Sequence, residues 1–298
     1  MVNEFPVASP LGLVAEFKVA DLLGKSPRGR YEASGVVLRQ GVFYLVFDNM
    51  PHIGRIASLT LGAEGNALLS QDGRLGYEDI AYDPQSDHFF TLIEASHRGR
   101  AFMAKVREYD GELGHVSTQW LEFPLEKGNK GMEGLTCVSF EDELYLLALC
   151  EGNWCRSGDM GRKPGGGRIQ VFGRRRDGWG HLATIRLSEM LPFQDYSSVA
   201  LDGQRIAVLS QESAALWVGT LRIPGWEIDE GMIYHFPQDD EGRCNYRHAE
   251  GVAWLSADRV VIVSDRVVDS ANRRFRAKDE SIHVFGFPES RARVAAAP

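Results

Sequence analysis

The stretch HAEGVAWLSADRVVIVSDR, residues 248–266, decides how the rest of the chain is interpreted. Two short apolar runs joined by a tight turn at Ala257–Asp258 predict a β-hairpin. Glu250 stands directly before the first run, which is an unusual place for a carboxylate because such a run is typical of a buried strand. A carboxylate directly before a buried strand needs an explanation, and we therefore ask whether the same arrangement occurs elsewhere in the chain.

The same unit recurs along the chain. Its five copies are ASGVVLRQGVFYLVFDN, EDIAYDPQSDHFFTLIE, EGLTCVSFEDELYLLALCE, SSVALDGQRIAVLSQE and EGVAWLSADRVVIVSD. The residues that open the first strand of each copy are Ser34, Glu78, Glu133, Ser197 and Glu250. Their separations of 44, 55, 64 and 53 residues are too long for a hairpin alone and suit one four-stranded antiparallel sheet per copy.

Further strand-like segments follow each hairpin, but the fifth hairpin is followed by only one, SIHVFGF. A spare strand, LGLVAEFKV at about 11–19, stands at the N-terminus. If it completes the last sheet, it closes a ring and protects the strand edges. The sequence therefore predicts an all-β, five-bladed β-propeller, with a β-sandwich or two stacked sheets as the alternative. Weak helix signals occur in VADLLGK (19–25) and LSEMLPFQD (187–195).

Composition limits the possible classes of protein. The chain has 298 residues, 44% hydrophobic and 25% charged, which predicts one globular domain over 1–298 with a short tail at 289–298. A net charge of −8 argues against nucleic acid as a partner. No signal peptide and no membrane span are recognised, so we expect a cytoplasmic protein, monomeric or a small oligomer, without a membrane partner. The four cysteines are expected to be thiols.

In a propeller, the residues that open the first strand of each blade meet at one mouth of the central channel. Carboxylates on one narrow axis repel one another, so they become protonated or hold a cation. Oxygen ligands suit Ca²⁺, with Mg²⁺ as the alternative. The predicted metal ligands are Ser34, Glu78, Glu133, Ser197 and Glu250. A competing interpretation is that the glutamates cap backbone amides or pair with arginines such as Arg30 or Arg247.

The loops that return to the same mouth are rich in cations, and arginine suits the oxygens of a phosphate group. The predicted partner is therefore a small anionic, phosphorylated substrate. The residues predicted to bind it are Arg98, Arg156, Arg266, Arg273, His97 and Asn153. A general base is expected among the loop carboxylates Asp48, Glu94, Glu151 and Glu212. His248 is placed to orient Glu250.

The order Ser–Glu–Glu–Ser–Glu resembles the central calcium ring of the calcium-activated nucleotidases (apyrases), which are five-bladed propellers. KGMEGLTCVSFEDELYLL and YSSVALDGQRIAVLSQES also resemble blades of that family. The resemblance implies Ca²⁺ on the axis and hydrolysis of nucleoside di- or triphosphates. Asp48 would match an acidic position in the first-blade loop. The EGL and EGV hairpins are also similar to phytase-like and esterase-like propellers.

The sequence thus favours a Ca²⁺-dependent hydrolase that acts on a phosphorylated small molecule such as a nucleotide. Two alternatives stay open. One is a non-catalytic binding module in which Ca²⁺ is structural, since propellers also serve as rigid platforms. The other is a biosynthetic lyase or isomerase that uses the same mouth.

Overall fold

The computed structural model describes residues 6–73, 76–126, 131–229, 231–266 and 275–288. These residues form an almost entirely β structure. The short helical segments are α1 (Val19–Leu23), α2 (Gly158–Gly161) and 3₁₀ turns at Asn153–Cys155 and at 275–277. In the described part of the chain, no helix has the length and apolar character that crossing a membrane requires.

The first strand is β1 (Gly12–Lys18). The strands that follow it pair in five antiparallel sets, which succeed one another in the order of the chain. The first set is β2 (Ala33–Arg39), β3 (Val42–Phe47), β4 (Met50–Ile56) and β5 (Ala67–Ser70). The second is β6 (Ile80–Asp83), β7 (His88–Arg98), β8 (Ala101–Tyr109) and β9 (His115–Glu122). The third is β10 (Met132–Phe140), β11 (Glu143–Cys150), β12 (Arg168–Arg175) and β13 (Gly178–Arg186).

The fourth set is β14 (Ser198–Asp202), β15 (Arg205–Ser210), β16 (Ala215–Arg222), β17 (Glu227–Ile228) and β18 (Met232–His235). Both β17 and β18 pair with β16, at opposite ends of it. The fifth is β19 (Ala249–Ser256), β20 (Arg259–Ser264) and β21 (Ser281–Gly286). A two-residue parallel contact between β13 and β9 joins the second and third sets.

The N-terminal strand β1 pairs antiparallel with β21 and so supplies the fourth strand of the fifth set. Glu16 lies opposite His283 in this pairing. The Glu16 carboxylate accepts hydrogen bonds from His283 Nδ1 and Lys278 Nζ, each at 2.9 Å. The first and last described strands are therefore joined by a strand ladder and by a partly buried polar contact.

Five apolar clusters lie between successive sets, and each contains residues of two sets. The pairs Tyr44–Phe89, Phe90–Leu146, Leu147–Val208, Leu209–Ile262 and Val263–Leu45 illustrate this order. Alternate residues of one strand, such as Phe89 and Phe90, enter different clusters because strand side chains alternate between the two faces. Each set packs on the next and the fifth packs on the first, an arrangement of the propeller type rather than a sandwich.

Two sequence predictions need correction. Residues 187–195 form turns and irregular structure instead of a helix, because Pro192 lacks the backbone N–H that a helix interior requires. Cys150 and Cys155 form a disulfide, whereas we expected thiols. The chain reverses between them through Trp154 and Cys155, whose φ angles of 56° and 55° are in the left-handed region. Spacing alone does not reveal this reversal.

Candidate functional site

The five residues predicted to form a ring lie where the innermost strand of each set begins. We call Ser34, Glu78, Glu133, Ser197 and Glu250 the inner ring. Three of them occupy β-bulges: the strand register shifts between Ala33 and Gly35, between Met132 and Gly134, and between Ala249 and Gly251. A bulge leaves one residue unpaired and redirects its side chain. This explains how a carboxylate can open a buried strand.

All five inner-ring residues line one cavity of about 100 Å³, enough for a few water molecules. We call it the acid cavity. Its complete lining is Glu32, Ala33, Ser34, Asp48, Glu78, Glu133, Ser197, Glu250 and Asp265. Six of these nine residues are carboxylic acids, and none of these lining residues is basic. The cavity therefore concentrates negative charge.

The charge is reflected in the pKa values of the inner ring. Burial, and then the Asp48 charge, raise the pKa of Glu78 to about 8. Burial and the neighbouring carboxylates Glu78 and Glu151 raise the pKa of Glu133 well above its usual range. Glu250 is shifted in the same direction by burial and by Asp265. These three glutamates keep some accessible surface because they line a cavity. The surrounding protein is nevertheless close enough that burial is the main cause of their raised pKa values.

Hydrogen bonds fix the inner-ring side chains. Glu78 and Glu133 are hydrogen-bonded to each other, which requires a shared proton. Gln211 Nε2 donates to Glu250 Oε1. Ser34 Oγ donates to Tyr77 O at 2.5 Å.

Ser197 Oγ likewise donates to Ala249 O at 3.1 Å. Each serine hydroxyl thus binds the carbonyl that precedes a glutamate of the next set in the ring, while its lone pairs remain available. Among the described residues, the arginines proposed as alternative partners form no ion pair with the inner-ring glutamates, although Arg30 lies beside Glu32 of the acid-cavity lining. Arg30 pairs with Glu32, and Arg247 lines a separate cavity.

A second circle of polar residues directly follows the second strand of the hairpin in four sets, and in the second set its member lies at the irregularity between Ile93 and Ser96 within β7. We call Asp48, Glu94, Glu151, Gln211 and Asp265 the outer ring. Burial raises the pKa of Asp265 to about 7, and burial with the Asp48 and Glu151 charges raises that of Glu94. Sequence reasoning found only three of its members and chose Glu212 in place of Gln211. The matched segments FDN, IEA, CEG, SQE and SDR carried the signal.

An adjoining cavity of about 100 Å³ extends the site to one side. It is lined by Glu151, Gly152, Arg156, Gly158, Gly161, Arg162, Gln194, Asp195, Gln211 and Glu212. Gln211 links the two cavities, because it lines this one and donates to Glu250 of the other. Asp195, another residue that sequence reasoning missed, accepts a hydrogen bond from Ser210 Oγ at 2.6 Å. Arg156 and Arg162 are the basic residues among those that line this cavity.

Of the predicted substrate-binding residues that the structure describes, Arg156 lines one of these two cavities and the others line neither. Arg98 pairs with Glu122 at 3.3 Å, and the His97 ring packs on Phe102 with centroids 4.0 Å apart. Arg156 lines the adjoining cavity and also pairs with Glu126. Arg266 is exposed beside Asp265, and Arg273 lies outside the described residues.

Asn153 is buried, and the loop it belongs to already uses its amide. Its Nδ2 group donates to the carbonyls of Gly161, Phe193 and Gln194 at 3.0–3.3 Å. Its Oδ1 atom accepts from Gly166 N at 2.8 Å and from Tyr196 Oη at 3.0 Å. The prediction that Asn153 contacts substrate is therefore replaced by a structural role: it holds the loop that carries Glu151 and Arg156.

No protein-family model matches the chain, and no curated protein sequence does. Solved structures are similar in fold. With the glutaminyl cyclase of Myxococcus xanthus the chain shares a TM-score of 0.57 and 10% sequence identity, over 96% of this chain and 100% of that one. With a luciferin-regenerating enzyme the TM-score is 0.50 and the identity 11%, over 94% and 96%. At such identities the likeness supports the propeller fold and nothing about substrate.

Proposed function

We propose that the chain is a single-domain, five-bladed β-propeller, closed by its N-terminal strand, that hydrolyses a phosphorylated small molecule with Ca²⁺ bound in the acid cavity. One observation carries the proposal. Five residues from five strand sets converge in one cavity with six carboxyl groups and no basic residue in its described lining. The apyrase-like assignment is part of the proposal, so nucleotides are the first substrates to test.

The donor set fits a hard dication. Carboxylates and hydroxyls are the oxygen ligands that Ca²⁺ accepts in irregular geometry, whereas Mg²⁺ demands a near-ideal octahedron. A bound cation would compensate the charges of Glu78 and Glu133, which are close enough to share a proton. Among the described residues, no three acidic, histidine or cysteine side chains are already grouped as they are around a metal. Binding would thus replace the shared proton and separate the two carboxyls.

Within this proposal, Glu78, Glu133 and Glu250 hold the ion, with Ser34 and Ser197 contributing hydroxyl oxygens. When bound, Ca²⁺ would polarise an oxygen of the phosphoryl group. Asp48 is the best-placed general base, because it lines the acid cavity and is exposed to entering water. Burial and the Glu32 charge raise the Asp48 pKa, which favours proton uptake from water. Glu94 is an alternative general base, but it is not part of the acid-cavity lining.

The body of the substrate would lie in the adjoining cavity. The acid cavity has room for an ion, water and a terminal phosphoryl group, but not for a sugar and base. Arg162 and Arg156 line the adjoining cavity and supply donors for further phosphate oxygens. Glu151 and Glu212 line the same cavity, and their negative charges would repel a phosphorylated substrate. The Ca²⁺ proposed in the acid cavity would offset this repulsion and so favour binding of the anion.

The test is phosphate release from a panel of nucleotides and sugar phosphates. We expect EDTA to abolish release and added Ca²⁺ to restore it. Glu133→Gln and Glu250→Gln should lose both Ca²⁺ binding, measured by calorimetry, and phosphate release. Glu112→Gln, which changes an exposed carboxylate outside the cavity, is the control. Unchanged Ca²⁺ binding and turnover in both ring variants would refute the proposal.

A second candidate is a non-catalytic module in which Ca²⁺ joins the strand sets. The serine contacts favour it, because Ser34 and Ser197 already tie one set to the next through backbone carbonyls. Thermal unfolding separates the two functions. Stabilisation by Ca²⁺ alone supports the module, whereas additional stabilisation by a phosphorylated ligand supports the enzyme.

A further inference from the structure

One layer of residues lies directly beneath the inner ring. We call it the floor; it consists of the residue that follows each inner-ring member: Gly35, Asp79, Gly134, Ser198 and Gly251. The inner-ring residues line the acid cavity, while the residues just beyond the floor line a separate channel cavity of about 620 Å³. The floor therefore separates the two cavities.

Asp79 is the centre of the floor. Its side chain is buried and accepts hydrogen bonds from Ile80 N at 2.8 Å, Leu135 N at 2.9 Å and Ser198 Oγ at 2.9 Å. Val199 N is a further donor. One carboxylate thus binds the innermost strands of the second, third and fourth sets.

Ser198 extends this network to the fifth set. Its hydroxyl donates to Asp79 and accepts from Val252 N at 3.2 Å. Leu135, Val199 and Val252 each stand two residues after an inner-ring member. The backbone that carries Glu133, Ser197 and Glu250 is therefore anchored, directly or through Ser198, to Asp79.

The glycines of the floor allow this close approach. A Cβ atom on Gly35 would lie 2.4 Å from Asp79 Oδ1 and 2.7 Å from Asp79 Cα. On Gly251 it would lie 2.7 Å from Gly35 Cα, and on Gly134 it would lie 2.9 Å from Val199 N. Real Cβ contacts are not that short, so the five strands are as close as their backbones permit.

We propose that Asp79 is a positioning residue that sets the spacing of the inner-ring carboxyls, and so controls cation affinity without lining the acid cavity. This inference rests on the proposed cation site. Burial raises the pKa of Asp79, and its hydrogen-bond donors oppose that shift. The partners named above all donate to Asp79, so they match the ionised carboxylate, which only accepts. Residues that orient ligands from outside the first coordination sphere commonly change metal affinity by about 10–100-fold.

The test uses Tb³⁺ as a luminescent substitute for Ca²⁺. Titration gives its affinity, and lifetimes in H₂O and D₂O give the number of bound waters. Asp79→Asn keeps the side-chain volume but turns an NH₂ group toward N–H donors, so we expect about 10-fold weaker binding or more and an altered water number. Ser198→Ala removes one donor to Asp79 together with the link to Val252, but leaves the backbone donors of Asp79 in place, so it should weaken binding by a smaller factor.

Asp83→Asn is the matched control. Asp83 is a buried aspartate like Asp79, which directly precedes β6. Asp83 instead ends that strand, and its partners Ser86, Gln85 and Ser139 lie there. It should lower the unfolding temperature without changing Tb³⁺ affinity or lifetimes. If it changes them as much as Asp79→Asn does, the effect is general destabilisation and the inference fails.

The outcomes separate the two proposals. If the wild-type protein binds Tb³⁺ and both Asp79→Asn and Ser198→Ala bind it unchanged, the positioning role is refuted while the cation site stands. If the wild type binds neither Tb³⁺ nor Ca²⁺, the cation site itself is refuted, and the inference with it. If Asp79→Asn does not fold, Ser198→Ala decides, and unchanged affinity and lifetime in that variant count against the role.

Discussion

Glu78 and Glu133, which belong to neighbouring strand sets, are hydrogen-bonded to each other inside a cavity that carries four further carboxylic acids. Two carboxyl groups can share a hydrogen bond only while one of them keeps its proton. The shared proton therefore reflects the repulsion among the carboxyl groups of the acid cavity. We expect this repulsion to make the stability of the folded protein depend on pH.

Without a cation, the folded protein should lose stability as pH rises from about 4.5 to about 8. In this interval the Glu78 carboxyl of the unfolded chain has released its proton, whereas burial keeps the folded one protonated until its pKa of about 8. Folding then takes up a proton, so rising pH disfavours the folded state by on the order of a few kcal/mol.

Urea denaturation at pH 5 and pH 8, with EDTA present, measures this effect. Glu78→Gln removes the titrating group, so its stability relative to the wild type should rise between the two pH values. Ca²⁺ should stabilise the wild type more at pH 8 than at pH 5, because protons compete less with the cation at the higher pH. A wild-type-minus-variant difference that is independent of pH would contradict the shared-proton interpretation.

The contact between the chain ends should have the opposite pH dependence. The hydrogen bonds of Glu16 with His283 and Lys278 outweigh burial and lower its pKa from 4.5 to about 2. The resulting stability is fully present above pH 4.5 and is lost as pH falls toward 2. Glu16→Gln should cost about 1–3 kcal/mol at pH 7.

Unfolding of Glu16→Gln and the wild type, compared at pH 7, 4 and 2.5, tests this expectation. The difference between them should shrink toward the lowest pH. Glu64→Gln, at an exposed position, should match the wild type throughout. A constant difference from pH 7 to 2.5 would mean that the charge of Glu16 contributes nothing.

Gly35→Ala should destabilise the protein, because the new Cβ would overlap the Asp79 backbone and carboxylate. The cost should lie at the upper end of the about 1–3 kcal/mol typical of overpacking. Gly12→Ala is the control, since the nearest heavy atom to its Cβ is 4.0 Å away. Equal urea midpoints for the two variants would show that the floor is less tightly packed than described.

The disulfide should stabilise the loop that carries Glu151. Closing a loop of six residues removes chain entropy worth about 2 kcal/mol from the unfolded state. The double variant Cys150→Ser with Cys155→Ser should lose about that amount in denaturant titrations, with Asn153 still holding the loop. Alkylation of the denatured wild type should modify two cysteines without reductant and all four after reduction.

Four modified cysteines without reductant would show that the bond is not formed. The same count on protein taken from its natural source also tests the cytoplasmic interpretation, because disulfides persist chiefly in oxidising compartments.

The inner ring could be predicted because its signal is local. Each member stands at the same position before an alternating hairpin, so the repeat itself aligned Glu78, Glu133 and Glu250. The role of the N-terminal strand was predictable from the strand count, because the fifth repeat lacked one strand and the N-terminal segment supplied one that belonged to no repeat. The floor was missed because its members share no chemistry; glycine, aspartate and serine occupy equivalent positions there.

The substrate-binding residues were harder to predict because their roles depend on partners distant in sequence. Arg98 pairs with Glu122, and Asn153 binds Phe193 and Gln194, none of which is near in the chain. The loop sequences showed which residues approach the mouth. They did not show which side chains are already occupied by other parts of the fold.

The floor limits the routes by which a ligand can reach the inner ring. In the described part of the chain, Asp79, Ser198 and the three glycines separate the acid cavity from the channel cavity, so a ligand of the inner ring would not pass between the two. If the site is catalytic as proposed, substrate and product would use the same side of the floor and would compete for the acid cavity. The wider chamber on the far side is insulated from it and can be altered independently.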